Sequence, residues 1–164
     1  SVNNDEKHYL IISSVKPHLI DFTIELSKKL QQSSAKIIYK LHPVEFAKFD
    51  IIKENLTSFN VIVKSNSNIY NLIKWADYVI GIESTVLYES VKFGKPTFIY
   101  GWFLSQHPLV QRNAAIFIEN VEDFLKKIKE PSKLNIDYDA INYFFADNAK
   151  ENYQKFLKEV VNKI

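Results

Sequence analysis

The chain has 164 residues, of which 46% are hydrophobic, 14% aromatic and 24% charged, the balance of a globular protein with enough chain for one domain and its core. A formal charge of +2 with dispersed lysines argues against a nucleic-acid partner, and no apolar run approaches the ~20 residues that span a bilayer. Cysteine is absent, which removes disulfides, thiolate metal sites and a cysteine nucleophile, and fits a reducing, cytoplasmic location.

Methionine is absent too, so Ser1 is not where translation began and the chain reads as part of a longer protein. Residues 1–7, "SVNNDEK", lack the apolar stretch of a secretory signal and read as a linker or cut end. Residues 8–164 read as a single domain. "HYLIISSV" (8–15) predicts a strand, and "HLIDFTIELSKKL" (18–30) a helix with apolar residues at helical spacing. The alternation continues with "AKIIYKLH" and "PVEFAKFDIIKENL", "NVIVKS" and "NIYNLIKWA", "YVIGIE" and "STVLYESVKFG". It then runs through "PTFIYG", the loop "GWFLSQHPLVQRN", "AIFIE" and "VEDFLKKIKE". The last stretch, from about Tyr138 to Ile164, has helical periodicity and predicts a long terminal helix docked outside the sheet.

Six short apolar strands alternating with helices predict an α/β fold. It is a three-layer, doubly wound, Rossmann-like parallel sheet covered by helices on both faces. Ligands of such sheets bind beyond the carboxyl ends of the strands, where strand order reverses. For the order 3-2-1-4-5-6, the first four ends offer Ser13-Ser14, then Lys40 and His42, then Lys64-Ser65, then Glu83-Ser84-Thr85.

Several chemistries fail on local grounds. The first turn, "SSVKPH", has no glycine to let backbone approach a pyrophosphate, which argues against the usual dinucleotide site and the P-loop. A phosphoacceptor receiver would carry acids after the first strand and an aspartate after the third. A serine hydrolase would want glycines on both sides of its nucleophile, and "GIEST" has one on one side only. No carboxylate and histidine spacing suits a protein-held metal.

What remains is an anion site. Lys40 and His42 are two apart, on one side of the strand, with Pro43 opening the next helix where its missing N–H costs nothing. A helix start favours an anion, and a histidine held there gains from a phosphate. The bland reading has His42 merely capping the strand end. Ser84 and Thr85 are good N-caps, and equally a hydroxyl pair for phosphate oxygens. Glu89, one turn beyond Thr85, suits two ribose hydroxyls, or is simply an exposed helix acid near Lys92. Strands 2 and 4 flank strand 1 in the expected order, so the two groups stand ~10 Å apart, about the span from ribose to phosphate.

"YKLHP", followed some forty residues later by "WADYVIGIESTVLYESVKFGKPTFIYG", resembles the donor-binding, carboxyl-terminal half of GT-B glycosyltransferases. The likeness is to the bacterial surface-polysaccharide group: capsule and Kdo transferases, sialyl- and polysialyltransferases, and CDP-glycerol glycerophosphotransferases. It rests on His42-Pro43, Ser84-Thr85, and Glu89 five residues before Gly94-Lys95-Pro96, over residues ~36–101. The resemblance implies that His42 and Ser84-Thr85 contact the donor phosphate and Glu89 the ribose, with Lys40 beside them. The donor it implies is a nucleotide-sugar, CMP- or CDP-linked first and UDP-linked second. No tightly bound cofactor and no metal are implied.

It further implies an acceptor glycan bound by an amino-terminal domain of the same protein, with the whole peripheral to the inner membrane. His42 is then a candidate catalytic group, although such enzymes usually carry the base in the other half. Lower in rank are Ser13 and Ser14, and His107 and Arg112 in the loop after strand 5; Arg112 is the only arginine. Trp102 and Phe103 read as well as loop aromatics covering the core. Two alternatives stand. One is a GT-B-fold UDP-N-acetylglucosamine 2-epimerase, which would want more acids and histidines in the cleft. The other is a nonenzymatic module with Trp75, Trp102 and the terminal helix as its interface.

Overall fold

A computed structural model describes residues 6–101 and 106–145. In chain order the elements are β1 (His8–Ile12), α1 (His18–Leu30), β2 (Lys36–Lys40), a 3-10 helix (Pro43–Lys48) and α2 (Phe49–Thr57). Then come β3 (Val61–Lys64), α3 (Ile69–Trp75), β4 (Tyr78–Gly81), α4 (Thr85–Lys92) and β5 (Thr97–Tyr100). The rest is α5 (Pro108–Gln111), β6 (Ile116–Ile118), α6 (Val121–Lys129) and 3-10 helices over Pro131–Lys133 and Tyr138–Tyr143. All the strands pair in parallel in the order β3-β2-β1-β4-β5-β6. Helices cover both faces, the α/β Rossmann-like arrangement expected from the sequence.

Burial follows from position in the sheet. Central β1 is covered on both faces, so Tyr9, Leu10, Ile11 and Ile12 are all buried, and an unbroken apolar run is what such a strand requires. Edge strand β3 alternates instead, with Val61 and Val63 buried and Ile62 exposed. One face carries an aromatic cluster in which Phe124 of α6 meets Phe98 at 4.8 Å and Tyr9 at 6.0 Å between ring centres. Phe22 of α1 packs on Tyr100 at 4.5 Å and on Phe124 at 6.3 Å, which puts α1 and α6 on that same face.

Three expectations change. The single helix predicted over 43–56 is a 3-10 turn followed by α2, joined at Lys48, whose φ of −102° and ψ of 10° break the α path. The loop after β5 contains α5, opened by Pro108 behind His107. The terminal helix expected from Tyr138 starts as a 3-10 helix; residues 146–164 lie outside the described residues, as do Trp102 and Phe103. No helix among the described residues is long and apolar enough to cross a membrane, and no cluster of three metal-ligating side chains occurs among them.

Candidate functional site

β1 has β2 on one side and β4 on the other, so the strand order reverses at β1: the chain steps from β1 to β2 and β3 toward one edge and from β4 to β5 and β6 toward the other. A cavity of about 210 Å³ opens there. Ile12 and Ser13 from the end of β1, Lys40 to Pro43 from the end of β2, and Ser84 and Val86 from the start of α4 line it. Ser67 and Ile69, at the start of α3, complete the wall. Three helical segments therefore begin at this cavity, capped by His42, Asn68 and Ser84, and their amino-terminal ends give it a positive electrostatic bias.

The His42 side chain is fixed by the turn it caps. Its Nδ1 accepts from the Val44 N–H at 3.3 Å, while its own backbone N–H donates to Glu45 Oε2 at 3.0 Å, closing a reciprocal capping box. With Nδ1 occupied as acceptor, the neutral ring carries its proton on Nε2 as a hydrogen-bond donor. Capping and presenting a donor are thus one arrangement, and the buried carboxylate of Glu45 holds it.

Lys40 lines the cavity but spends two donors on backbone, bonding the carbonyls of Leu41 at 2.9 Å and Ser65 at 2.6 Å. Burial pushes its ammonium below the ordinary lysine range, so its charge is less firmly held than that of an exposed lysine. Ser13 is buried and accepts from the Tyr39 hydroxyl at 3.1 Å. Burial drives that phenol up to about 12, and it stays a neutral donor. The Ser14 hydroxyl is buried with no hydrogen-bond partner among the described residues. Val15 follows at φ 64°, a conformation that costs a β-branched side chain energy; the tight first turn is made here without glycine.

Ser84 is the N-cap of α4, its Oγ accepting from the Val86 N–H at 3.3 Å. Thr85 is exposed at the first position of the helix and Glu89 half-buried a turn later; neither lines the cavity. His107 repeats the geometry of His42. It is 9% exposed, caps α5 with Nδ1 accepting from the Leu109 N–H at 3.2 Å, and sits 5.9 Å from the Tyr88 ring of α4. Burial depresses its imidazole below 6.5, with Glu83 opposing in part. Arg112 sits over the Tyr143 ring, its guanidinium carbon 3.2 Å from the ring centre, at the exposed end of α5. The sequence reading did not single out Ser67, Ile69 or Val86; the one signal for them was Asn68, a good N-cap placed before an apolar run.

No family model matches the chain, and no curated protein matches it. Solved structures do. The carboxyl-terminal CMP-Kdo binding domain of WaaA from Acinetobacter baumannii superposes with a TM-score of 0.64 at 13% identity, over 86% of this chain and 90% of that one. UDP-GlcNAc 2-epimerase from Neisseria meningitidis, bound to UDP-GlcNAc, gives 0.60 at 17% identity over 85% of this chain and 43% of that one. The wall teichoic acid polymerase TagF, soaked with CDPG, gives 0.59 at 14% identity over 97% of this chain and 43% of that one. This chain thus spans less than half the length of the epimerase and of the polymerase. At these identities the likeness is one of fold alone, the parallel α/β, Rossmann-like fold expected from the sequence.

Proposed function

We propose that the domain binds the nucleotide of an activated sugar or polyol, cytidine-linked first, in the cavity over β1. In this reading it is the donor half of a cytoplasmic glycosyl- or glycerophosphate-transferase of cell-surface polysaccharide synthesis. The observation that carries it is the convergence of Ser13, Lys40, His42 and Ser84 on one cavity at the point where strand order reverses. The His42 Nε2–H and the N–H ends of the helical segments face a phosphate, and Thr85 stands beside them. Glu89, a turn up α4, takes the ribose where the nucleotide extends past the cavity mouth. The acceptor glycan and its binding groups belong to another domain, and through it the protein meets the inner membrane.

A second reading has an observation of its own, since a UDP-GlcNAc 2-epimerase shares the fold to nearly the same degree as WaaA. The base separates the cytidine-linked donor from the uridine-linked ones. In thermal unfolding with CMP, CDP, UDP, ADP and NAD, CMP or CDP raises the melting point most, by the equivalent of ~2.7 kcal/mol at a hundredfold its dissociation constant. A response to UDP alone rules out the cytidine-linked donor and leaves the UDP-linked donor and the epimerase-like reading, and no response to any nucleotide defeats both. His42→Ala and Glu89→Ala each abolish most of the CMP shift. Because His42→Ala also removes a cap, its shift is read against the unliganded variant. A shift that survives both changes means that the site lies elsewhere.

A further inference from the structure

A second cavity, of about 490 Å³, lies beneath α6 and the 3-10 turn Pro131–Lys133, along β6, which is an edge strand among the described residues. It shares no residue with the cavity over β1, and three inter-strand steps, ~14 Å, separate β6 from β1 in the sheet. Its volume falls in the range of small-molecule sites, ~300–1,000 Å³. Its walls are apolar, from Val110, Ala115, Ile116 and Leu134.

Two polar features break that apolar surface. The Ile118 carbonyl accepts from the Gly101 N–H, inside the sheet, so strand alternation turns the Phe117 amide and carbonyl toward the open edge. The carbonyl is taken by Lys127 Nζ at 2.8 Å; the N–H finds no acceptor among the described residues. Around it stand three lysines and two acids, a net of one positive charge. Lys127 is neutralised by Asp123 at 2.7 Å and Lys133 by Glu130, which leaves Lys126 without an ion pair among the described residues.

One N–H and one ammonium without partners among the described residues, beside an apolar hollow of this size, define a ligand by complement. We propose that the β6-edge cavity binds a small amphiphile: an apolar chain ending in a single carboxylate. The chain lies against Ile116 and Leu134, and the carboxylate accepts from the Phe117 N–H and pairs with Lys126. Lys127 also blocks the edge carbonyl, which disfavours a peptide adding as a further strand and leaves the cavity to a side-on ligand.

The test is titration calorimetry on the whole chain with sodium decanoate, decanol and sodium acetate. Decanoate binds, decanol binds more weakly, and acetate gives no heat. Lys126→Gln, a change at an exposed position, weakens decanoate about fivefold, the weight of one well-placed ion pair, and leaves decanol unchanged. Val110→Trp fills the hollow and removes both ligands. If that variant misfolds, decanoate protection of the Phe117 amide from hydrogen exchange reads the same contact. The proposal is overturned if decanoate fails to bind, if decanol matches it, or if Lys126→Gln changes nothing.

Discussion

His42 and Ser84 each presented a choice between capping and ligand binding, and the structure makes the two roles compatible. The imidazole uses Nδ1 for the Val44 N–H, and its Nε2 has no hydrogen-bond partner among the described residues. Ser84 Oγ accepts from the Val86 N–H and keeps its own hydrogen to donate, because a hydroxyl is both donor and acceptor. The roles are separable by substitution. Ser84→Ala loses the cap and costs about 1 kcal/mol in urea unfolding, and it weakens CMP as well. Ser84→Asp restores the cap and the stability but sets a carboxylate against the phosphate, so CMP binding is lost while the melting point is kept. If Ser84→Asp binds CMP as the native chain does, Ser84 is a cap and nothing more.

At the scale of elements, the string Gly94-Lys95-Pro96 divides from the residues before it. Gly94, at φ 70°, ends α4 with its N–H on the Val91 carbonyl, and the Lys95 N–H returns to Ser90. The Lys95 ammonium then bonds the carbonyls of Lys74 at 3.0 Å and Ala76 at 2.7 Å, closing the end of α3. This is the amino-terminal edge of the sheet, away from the cavity, so the spacing from Glu89 to Gly94 reflects how long α4 must be. Lys95→Met accordingly costs about 1–2 kcal/mol of stability and leaves the CMP dissociation constant within twofold, as calorimetry and urea unfolding will show. At the other end, a Cβ on Gly81 would meet Leu87 Cδ2 at 2.8 Å and the Ile12 carbonyl at 3.3 Å, so a side chain there requires the buried Leu87 to shift. The same scale explains the helix that the sequence reading missed. α5 opens with His107-Pro108, the signal that marks the turn after β2, but four residues are too few to carry a helical period.

At the scale of the molecule, a cavity of about 210 Å³ is too small to enclose a whole nucleotide-sugar, so a bound donor projects into water. Transfer needs a site that excludes water and orients an acceptor. The chain alone is therefore expected to bind CMP weakly and to release nucleotide from a cytidine-linked donor no faster than the uncatalysed background, followed by chromatography of the products; robust turnover would contradict this. The layered fold was legible because local patterns determine it: apolar runs such as residues 9–12 can be satisfied only between two layers of helix, and the intervening amphipathic segments supply those layers. Lys40, His42, Pro43 and Ser84 were legible for the same reason, as strand-end residues in a sheet whose order could be anticipated. Sequence alone thus fixed the strand–helix alternation and which residues stand at the strand ends. Only the tertiary structure decided which of those ends share a cavity, that Lys40 is held by the carbonyls of Leu41 and Ser65, and that a second hollow lies along β6. These depend on distances between segments far apart in the chain, and local periodicity carries no information about them.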